Sequence, residues 1–261
     1  MLKRRLIPVL FLKNGLIVRS EYFNYHQNLG NPVSEVKRYS DWDADELIYI
    51  DISTEHYYDL RRDDLRVSNK GNILDIIRDI SRVCFMPLTF GGGIRTIEDI
   101  RLRIQNGADK ITINAAAIDD LSFIGKSSSV FGSQCIIVSI DYKMVNGRAV
   151  VFKSGLTETG MDAAEWAADA EKKGAGEIFL NSIDRDGSAR GYDIDVIKRV
   201  TDAVSIPVIA CGGAGDFHDF VDLARSTRVS AMAAGNIFHF TELSYQRAKD
   251  TLLKNNVNVR K

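Results

Sequence analysis

The feature that most constrains the fold is that the chain repeats itself. Residues 6–13 lie over 136–143 at a separation of 130, and residues 45–50 lie over 176–181 at 131. Phe90-Gly91-Gly92-Gly93 lies over Cys211-Gly212-Gly213-Ala214 at about 121, and Ile113-Asn114-Ala115 falls near Ala234-Gly235-Asn236. Most of these segments carry a short apolar run rich in β-branched residues, the pattern of a strand covered on both faces. Two four-strand units in the same order fit one closed ring better than an open sheet. The fall in separation puts about ten extra residues in the first copy, where 53–72 is the one stretch without apolar periodicity.

Strands are predicted near 6–12, 47–52, 86–90, 110–114, 135–141, 177–182, 206–211 and 229–234. Helical periodicity lies between them, near 32–44, 73–83, 96–107, 119–131, 162–174, 193–204, 216–226 and 241–254. Eight strands alternating with eight helices is the count of a (β/α)₈ barrel, although a doubly wound open sheet shares the alternation. The repeat selects the barrel: one α/β domain over 1–261, with half-barrels of about 1–125 and 126–261 and the 53–72 insertion in the first. In such a barrel the chemistry sits at the C-terminal strand ends and the loops after them.

Composition then excludes classes of partner. With 34 Lys+Arg against 35 Asp+Glu, the net charge of −1 offers no general attraction to nucleic acid or an anionic membrane surface. No apolar run reaches the length of a membrane span. The basic start ahead of 6–12 looks like a signal peptide, but the run is short and Lys13, Asn14 and Gly15 follow without a small-residue cleavage site, so it reads as a first strand. Cys84, Cys135 and Cys211 are widely spaced and read as buried free thiols of a cytoplasmic protein. Neither they nor His26, His56, His218 and His239 match a metal-ligand spacing, and no cofactor signature is present.

Two symmetry-related glycine clusters point to phosphate. Gly91-Gly92-Gly93 follows the third strand, and Gly212-Gly213 with Gly215 follows the seventh. Such strand-to-helix turns let the backbone approach a ligand and aim amides and a helix N-terminus at an anion. Each pocket would be completed from the next strand end, by Asn114 with Ala115 and by Gly235 with Asn236. A substrate with a phosphate at each end, spanning the barrel mouth, follows from the symmetry. Asp184-Arg185-Asp186-Gly187 after the sixth strand adds two carboxylates, with Gly187 and Gly191 able to close the second pocket; an Asp-rich surface turn is the alternative.

Several motifs together give the chain a family resemblance. Lys13-Asn14-Gly15, Asp45-Glu46-Leu47, Gly91-Gly92-Gly93-Ile94, Gly107-Ala108-Asp109-Lys110, Gly174-Ala175-Gly176-Glu177-Ile178, Ser182-Ile183-Asp184-Arg185-Asp186-Gly187, Gly212-Gly213-Ala214-Gly215, Phe238-His239-Phe240 and Val257-Asn258-Val259-Arg260 occur in order. The chain resembles the cyclase subunit of imidazole glycerol phosphate synthase, a (β/α)₈ barrel that takes ammonia from a glutaminase partner. The resemblance implies ring closure by two aspartates at the ends of strands 1 and 5. Asp141 stands at the strand-5 position, but Phe11 stands at the strand-1 position, and superposing the two copies of the repeat also sets Phe11 against Asp141. A phenyl ring cannot exchange a proton, and one positioned acid–base group is typically worth about 10²–10⁴-fold in rate. Arg19 replaces the family's lysine after strand 1 and keeps a charge for a phosphate, and Asn181 stands where the family often has threonine.

The resemblance also implies a salt-bridged ring of Arg5, Glu46, Lys110 and Glu177 that gates ammonia entry at the N-terminal mouth, where the glutaminase docks. All four positions are filled. The expectation is therefore an ammonia-accepting lyase/cyclase-type subunit acting on a phosphorylated substrate other than the usual ribulose-linked aminoimidazole precursor. Relatives that make amidino sugars for surface polysaccharide (lipopolysaccharide) are the divergent kind the resemblance suggests. Two alternatives stand beside it: the ordinary histidine-pathway cyclase, and a non-catalytic ammonia conduit. In the inserted segment, Tyr57, Tyr58, Arg61, Arg62, Arg66 and Lys70 are expected to hold a larger anionic group over the mouth, with a plain charged surface loop as the alternative.

Overall fold

The computed structural model describes residues 3–53, 58, 70–239 and 242–260. Twelve strands are present among them: β1 (Arg5–Lys13), β2 (Leu16–Glu21), β3 (Tyr25–Gly30), β4 (Leu47–Asp51), β5 (Leu88–Gly91), β6 (Lys110–Ile113), β7 (Ile136–Val145), β8 (Arg148–Lys153), β9 (Thr157–Asp162), β10 (Glu177–Ser182), β11 (Val208–Cys211) and β12 (Ala231–Ala234). Eight of them pair in parallel around a ring, β1-β4-β5-β6-β7-β10-β11-β12, which closes where Arg5–Pro8 pair with Ala231–Ala234. This is the (β/α)₈ barrel, and the open-sheet alternative is excluded because no edge remains among the eight.

The helices are α1 (Pro32–Asp41), α2 (Ile73–Ser81), α3 (Ile97–Gln105), α4 (Ala115–Asp119), α5 (Ser122–Phe131), α6 (Ala163–Lys172), α7 (Ile194–Ala203), α8 (Phe217–Ser226) and α9 (Ser244–Lys254). The single helix expected near 119–131 is two, α4 and α5. The chain breaks at Asp120, whose carboxylate accepts Ser122 N at 2.9 Å and Ser122 Oγ at 2.6 Å in place of a continuing helical bond.

Four strands lie outside the expected set. β2 and β3 fold back antiparallel on β1, and β8 and β9 do the same on β7. Both excursions start at an Asn-Gly turn with two positive φ angles, 51° and 78° at Asn14-Gly15 and 50° and 78° at Asn146-Gly147. That is the turn whose twist suits a two-residue hairpin, and Asn-Gly between apolar runs was the signal that would have found it. The twofold repeat thus extends to the decorations, which rise over the C-terminal mouth of the barrel.

Side chains alternate along the barrel strands. Ile7, Val9 and Phe11 face inward with Ile48, Ile137, Phe179, Ile209, Ala231 and Ala233. Leu6, Leu10 and Leu12 face outward into the larger core beneath the helices. Each fully buried aliphatic or phenyl side chain contributes about 1.5–3 kcal/mol by leaving water, so the outer layer carries most of the stability. The chain end locks the ring shut. The Asp45 carboxylate accepts Leu6 N and Lys249 Nζ, each at 2.8 Å, while Tyr245 Oη accepts Asp45 N and donates to Leu6 O.

Of the cysteines, only Cys211 is buried; Cys84 and Cys135 are half-buried, because they stand at the junctions leading into β5 and β7 and not inside the strands. All three are free thiols. Among the described residues no helix is long and apolar enough to cross a membrane.

Candidate active site and barrel gate

The C-terminal mouth is built around Phe11 and Asp141. Phe11 pairs with Ile50 in the β1–β4 ladder, and Asp141 pairs with Asn181 in the β7–β10 ladder. Phe11 is 7% exposed and meets the ring of Phe23 edge-on with centroids 6.1 Å apart. Asp141 is buried, with Asn181 Nδ2 only at the limit of hydrogen-bond reach, 3.5 Å from Oδ1. Burial pushes the Asp141 carboxyl up to about 7, aided by the charge of Asp186 and opposed by hydrogen bonds from Asn181 and Ser139. A carboxyl balanced near neutrality can both take and release a proton, which is the property a general acid–base group needs.

Two cavities open at this mouth, and Phe11 lines both. The smaller, about 240 Å³, is walled by Arg19, Gly187, Gly212, Gly213, Gly235 and Asn236. The larger, about 530 Å³, is walled by Gly92, Gly93, Asn114, Asp141 and Asn181, together with Lys13, His26 and Arg95. Each expected phosphate loop therefore fronts its own cavity. Gly92 and Gly212 have φ of +93° and +98°, and a Cβ at either would strike the neighbouring strand, at Asp51 O or Ser182 O.

Several polar residues at these walls hold the scaffold. The Asp186 carboxylate accepts Ser20 Oγ at 2.6 Å and Phe23 N at 3.1 Å, which ties the β2–β3 hairpin down; burial raises its pKa. Asn114 donates to Ser139 O and accepts Ser154 N, and Asn236 donates to Ser20 O at 2.8 Å. Gly191 packs behind the second loop, with its carbonyl against Gly213. Arg19 is paired with Glu21, its neighbour on the same face of β2, and both line the smaller cavity. The amides just ahead of the helices are committed: Asp99 takes those of Arg95 and Thr96, and Asp219 those of Gly215 and Asp216. A capping box closes each first turn, which leaves the Gly92-Gly93 and Gly212-Gly213 stretches farther upstream as the expected source of amide donors for an anion.

Lys13 and His26 were absent from the sequence-based site. Lys13 Nζ lies 3.4 Å from His26 Nδ1 at the rim of the larger cavity; burial, then the Lys13 charge, lowers the His26 pKa. Only the unforeseen hairpin brings His26 there. Of the inserted segment, Tyr57, Arg61, Arg62 and Arg66 lie outside the described residues. Tyr58 is buried and donates to Asp51 Oδ2 at 2.7 Å, and Lys70 pairs with Asp79 at 2.6 Å, so these two serve internal contacts.

At the opposite mouth four side chains form a closed ring. Arg5 reaches Glu46 at 2.5 Å and also Glu177, and Lys110 reaches Glu46 at 3.0 Å and Glu177 at 3.1 Å. Thr89 Oγ1 adds a hydrogen bond to Glu46. The inward-facing alternation of β1, β6 and β10, with Glu46 one residue before β4, sets all four at one level. Above the ring the axis is mostly apolar, lined by Ile7, Val9, Ile48, Ile137 and Phe179, with the hydroxyls of Thr112 and Ser139 below Asp141.

Comparison with known proteins fits this geometry. Residues 5–244 match the profile of a family described as histidine biosynthesis protein. The chain is 40% identical over 263 aligned positions to the imidazole glycerol phosphate synthase subunit HisF of Caulobacter vibrioides, covering 100% of this chain and 97% of the relative. It is 38% identical to the subunit of the same name from Alkaliphilus metalliredigens, with 100% of each chain covered.

Proposed function

The chain belongs to the histidine biosynthesis protein family, and from that premise we propose that it is an ammonia-accepting synthase subunit of the imidazole glycerol phosphate synthase type, acting on a phosphorylated substrate other than the usual aminoimidazole precursor. The observation that carries the reading is the pairing of an intact charged ring at one mouth with Phe11 at the station of a proton-transfer group at the other. A glutaminase docks over the Arg5–Glu46–Lys110–Glu177 ring, and ammonia crosses as the neutral molecule, because a mostly apolar axis costs NH₃ far less desolvation than NH₄⁺. Asp141 handles the proton at the acceptor carbon, while the Gly92 and Gly212 loops with Arg19 hold the two anionic ends. No cofactor takes part in this scheme.

The matched relatives carry the histidine-pathway name, so the amidino-sugar role draws no support from them and the acceptor is defined here only as a phosphorylated substrate. Their full-length identity instead favours one second reading, the ordinary histidine-pathway cyclase. One assay separates the two: the purified chain, the aminoimidazole precursor and an ammonium salt. Absence of turnover, with a glutaminase still co-purifying, is expected; turnover at an ordinary cyclase rate overturns the changed-substrate reading.

A further inference from the structure

Arg103 projects from α3 to the back of the Gly92-Gly93 loop and is 6% exposed. Its Nη2 donates to Gly92 O at 2.9 Å and its Nη1 to Asp99 O at 3.1 Å, while Nε is buried without a partner. Burial lowers its pKa, but a guanidinium stays charged in a protein. Asp99 and Asp51 act on it through space, yet no carboxylate among the described residues reaches it as an ion pair. Both are committed elsewhere, Asp99 to the amides of Arg95 and Thr96, Asp51 to Ser53 and Tyr58. A whole positive charge is thus buried on neutral carbonyls, which is costly unless a counter-ion arrives.

The repeat argues against a purely structural purpose. The capping boxes Thr96/Asp99 and Asp216/Asp219 align α3 with α8, which puts Leu223 at the station of Arg103. Leu223 is fully buried, so α8 brings no cation to the Gly212-Gly213 turn; Arg185, from the loop after β10, packs beside Gly213 instead and donates from Nη1 to Gly191 O at 2.9 Å. The turn therefore forms without an arginine on the helix behind it. At Gly93 the nearest atom to a would-be Cβ is Arg103 Nη2, at 3.6 Å, so the guanidinium abuts the loop that fronts the larger cavity.

We propose that Arg103 is the counter-charge for a phosphate or phosphomonoester held on the Gly92-Gly93 loop, acting from behind the backbone while the loop amides meet the anion in front. The assignment rests on the reading of that loop as a phosphate site. It makes the two ends of the substrate site unequal, since Arg19 lines the smaller cavity directly and Arg103 serves the larger one through the loop. Arg103 is accordingly a positioning residue for affinity, and charge, more than the hydrogen bond to Gly92 O, is what it supplies.

The test is a titration of the full chain with inorganic phosphate, followed through the backbone amide resonances of Gly92 and Gly93 and, as an internal control, Gly212 and Gly213. Three variants separate charge from contact: Arg103→Lys keeps the charge, Arg103→Gln keeps a donor without charge, and Arg103→Leu copies the other half-barrel. Expected is about tenfold weaker binding at Gly92 and Gly93 in the Gln and Leu variants, near-native binding in the Lys variant, and no change at Gly212 and Gly213. Native affinity in the Gln or Leu variant overturns the proposal, as does a Lys variant as weak as Gln. A wild-type chain with no phosphate response at Gly92 and Gly93 would instead remove the phosphate reading of the loop, and the proposal with it. Melting temperatures of the variants check folding, with Arg103→Leu expected at or above wild type.

Discussion

Phe11 and Asp141 occupy the same station in the two halves of one barrel, Phe11 beside Ile50 of β4 and Asp141 beside Asn181 of β10. Both face the axis, and both line the larger cavity. One half offers a phenyl ring where the other offers a carboxyl that burial lifts to about 7.

The raised pKa of Asp141 makes stability depend on pH with a definite sign. Its ordinary value is 3.8 and burial lifts it to about 7, so the folded chain binds this proton more tightly than the unfolded one. The contribution is present below pH 4 and is lost as pH rises toward and through 7. Asp141→Asn is therefore expected to melt above wild type at pH 8, with the gap closing toward pH 4. Thermal melts of both proteins across that range check it. The same variant should lose about 10²–10⁴-fold in turnover, and the wild-type rate should inflect near pH 7.

Restoring a carboxylate at the first station is expected to fail as a rescue. Phe11→Asp removes a phenyl packed against Phe23 in the barrel interior, a loss of about 3–5 kcal/mol for a large-to-small change, and leaves a carboxylate in an apolar wall. The variant should melt lower and still not turn over the aminoimidazole precursor. Turnover restored by this one change would mean that only the proton group separates this chain from an ordinary cyclase.

The charged ring should couple stability to ammonia supply. Lys110→Ala leaves Arg5 as the one cation on Glu46 and Glu177 among the described residues; breaking a buried pair costs about 3–5 kcal/mol, and Lys110, with its side chain 23% exposed, belongs at the low end. In the assembled complex, glutamine-driven product formation should fall while ammonium-driven formation persists. Equal losses from both nitrogen sources would contradict a gating role.

The two glycine loops should differ in tolerance. A Cβ at Gly92 would lie 1.9 Å from Asp51 O, against 2.7 Å from Ser182 O for the equivalent contact at Gly212, and both positions have positive φ. Gly92→Ala is expected to unfold at lower denaturant than Gly212→Ala, and to lose the phosphate response of the larger cavity alone. Chemical denaturation and phosphate titration of the two variants measure this.

The barrel was legible because its signals are local and periodic. The eight apolar runs, the helices between them and the half-repeat are written in neighbouring residues, and so is the alternation that turns Arg5, Phe11 and Asp141 inward. The hairpins were legible in principle at Asn14-Gly15 and Asn146-Gly147 but competed with a strand-turn-helix expectation. His26 and Tyr58 could not be placed, since their positions depend on how far a hairpin and an insertion fold over the mouth.

The sequence by itself determined the architecture, the station of each inward residue and the absence of a carboxyl at position 11. Tertiary structure alone decided which charges are spent and which are left. It tied Asp186, Asn114 and Asn236 into the scaffold, closed Arg5, Glu46, Lys110 and Glu177 into one ring, and left the Arg103 guanidinium buried on carbonyls. The reason is physical: whether a polar group binds a ligand or the protein depends on the distance and burial of partners far away in the chain, and periodicity carries no information about either.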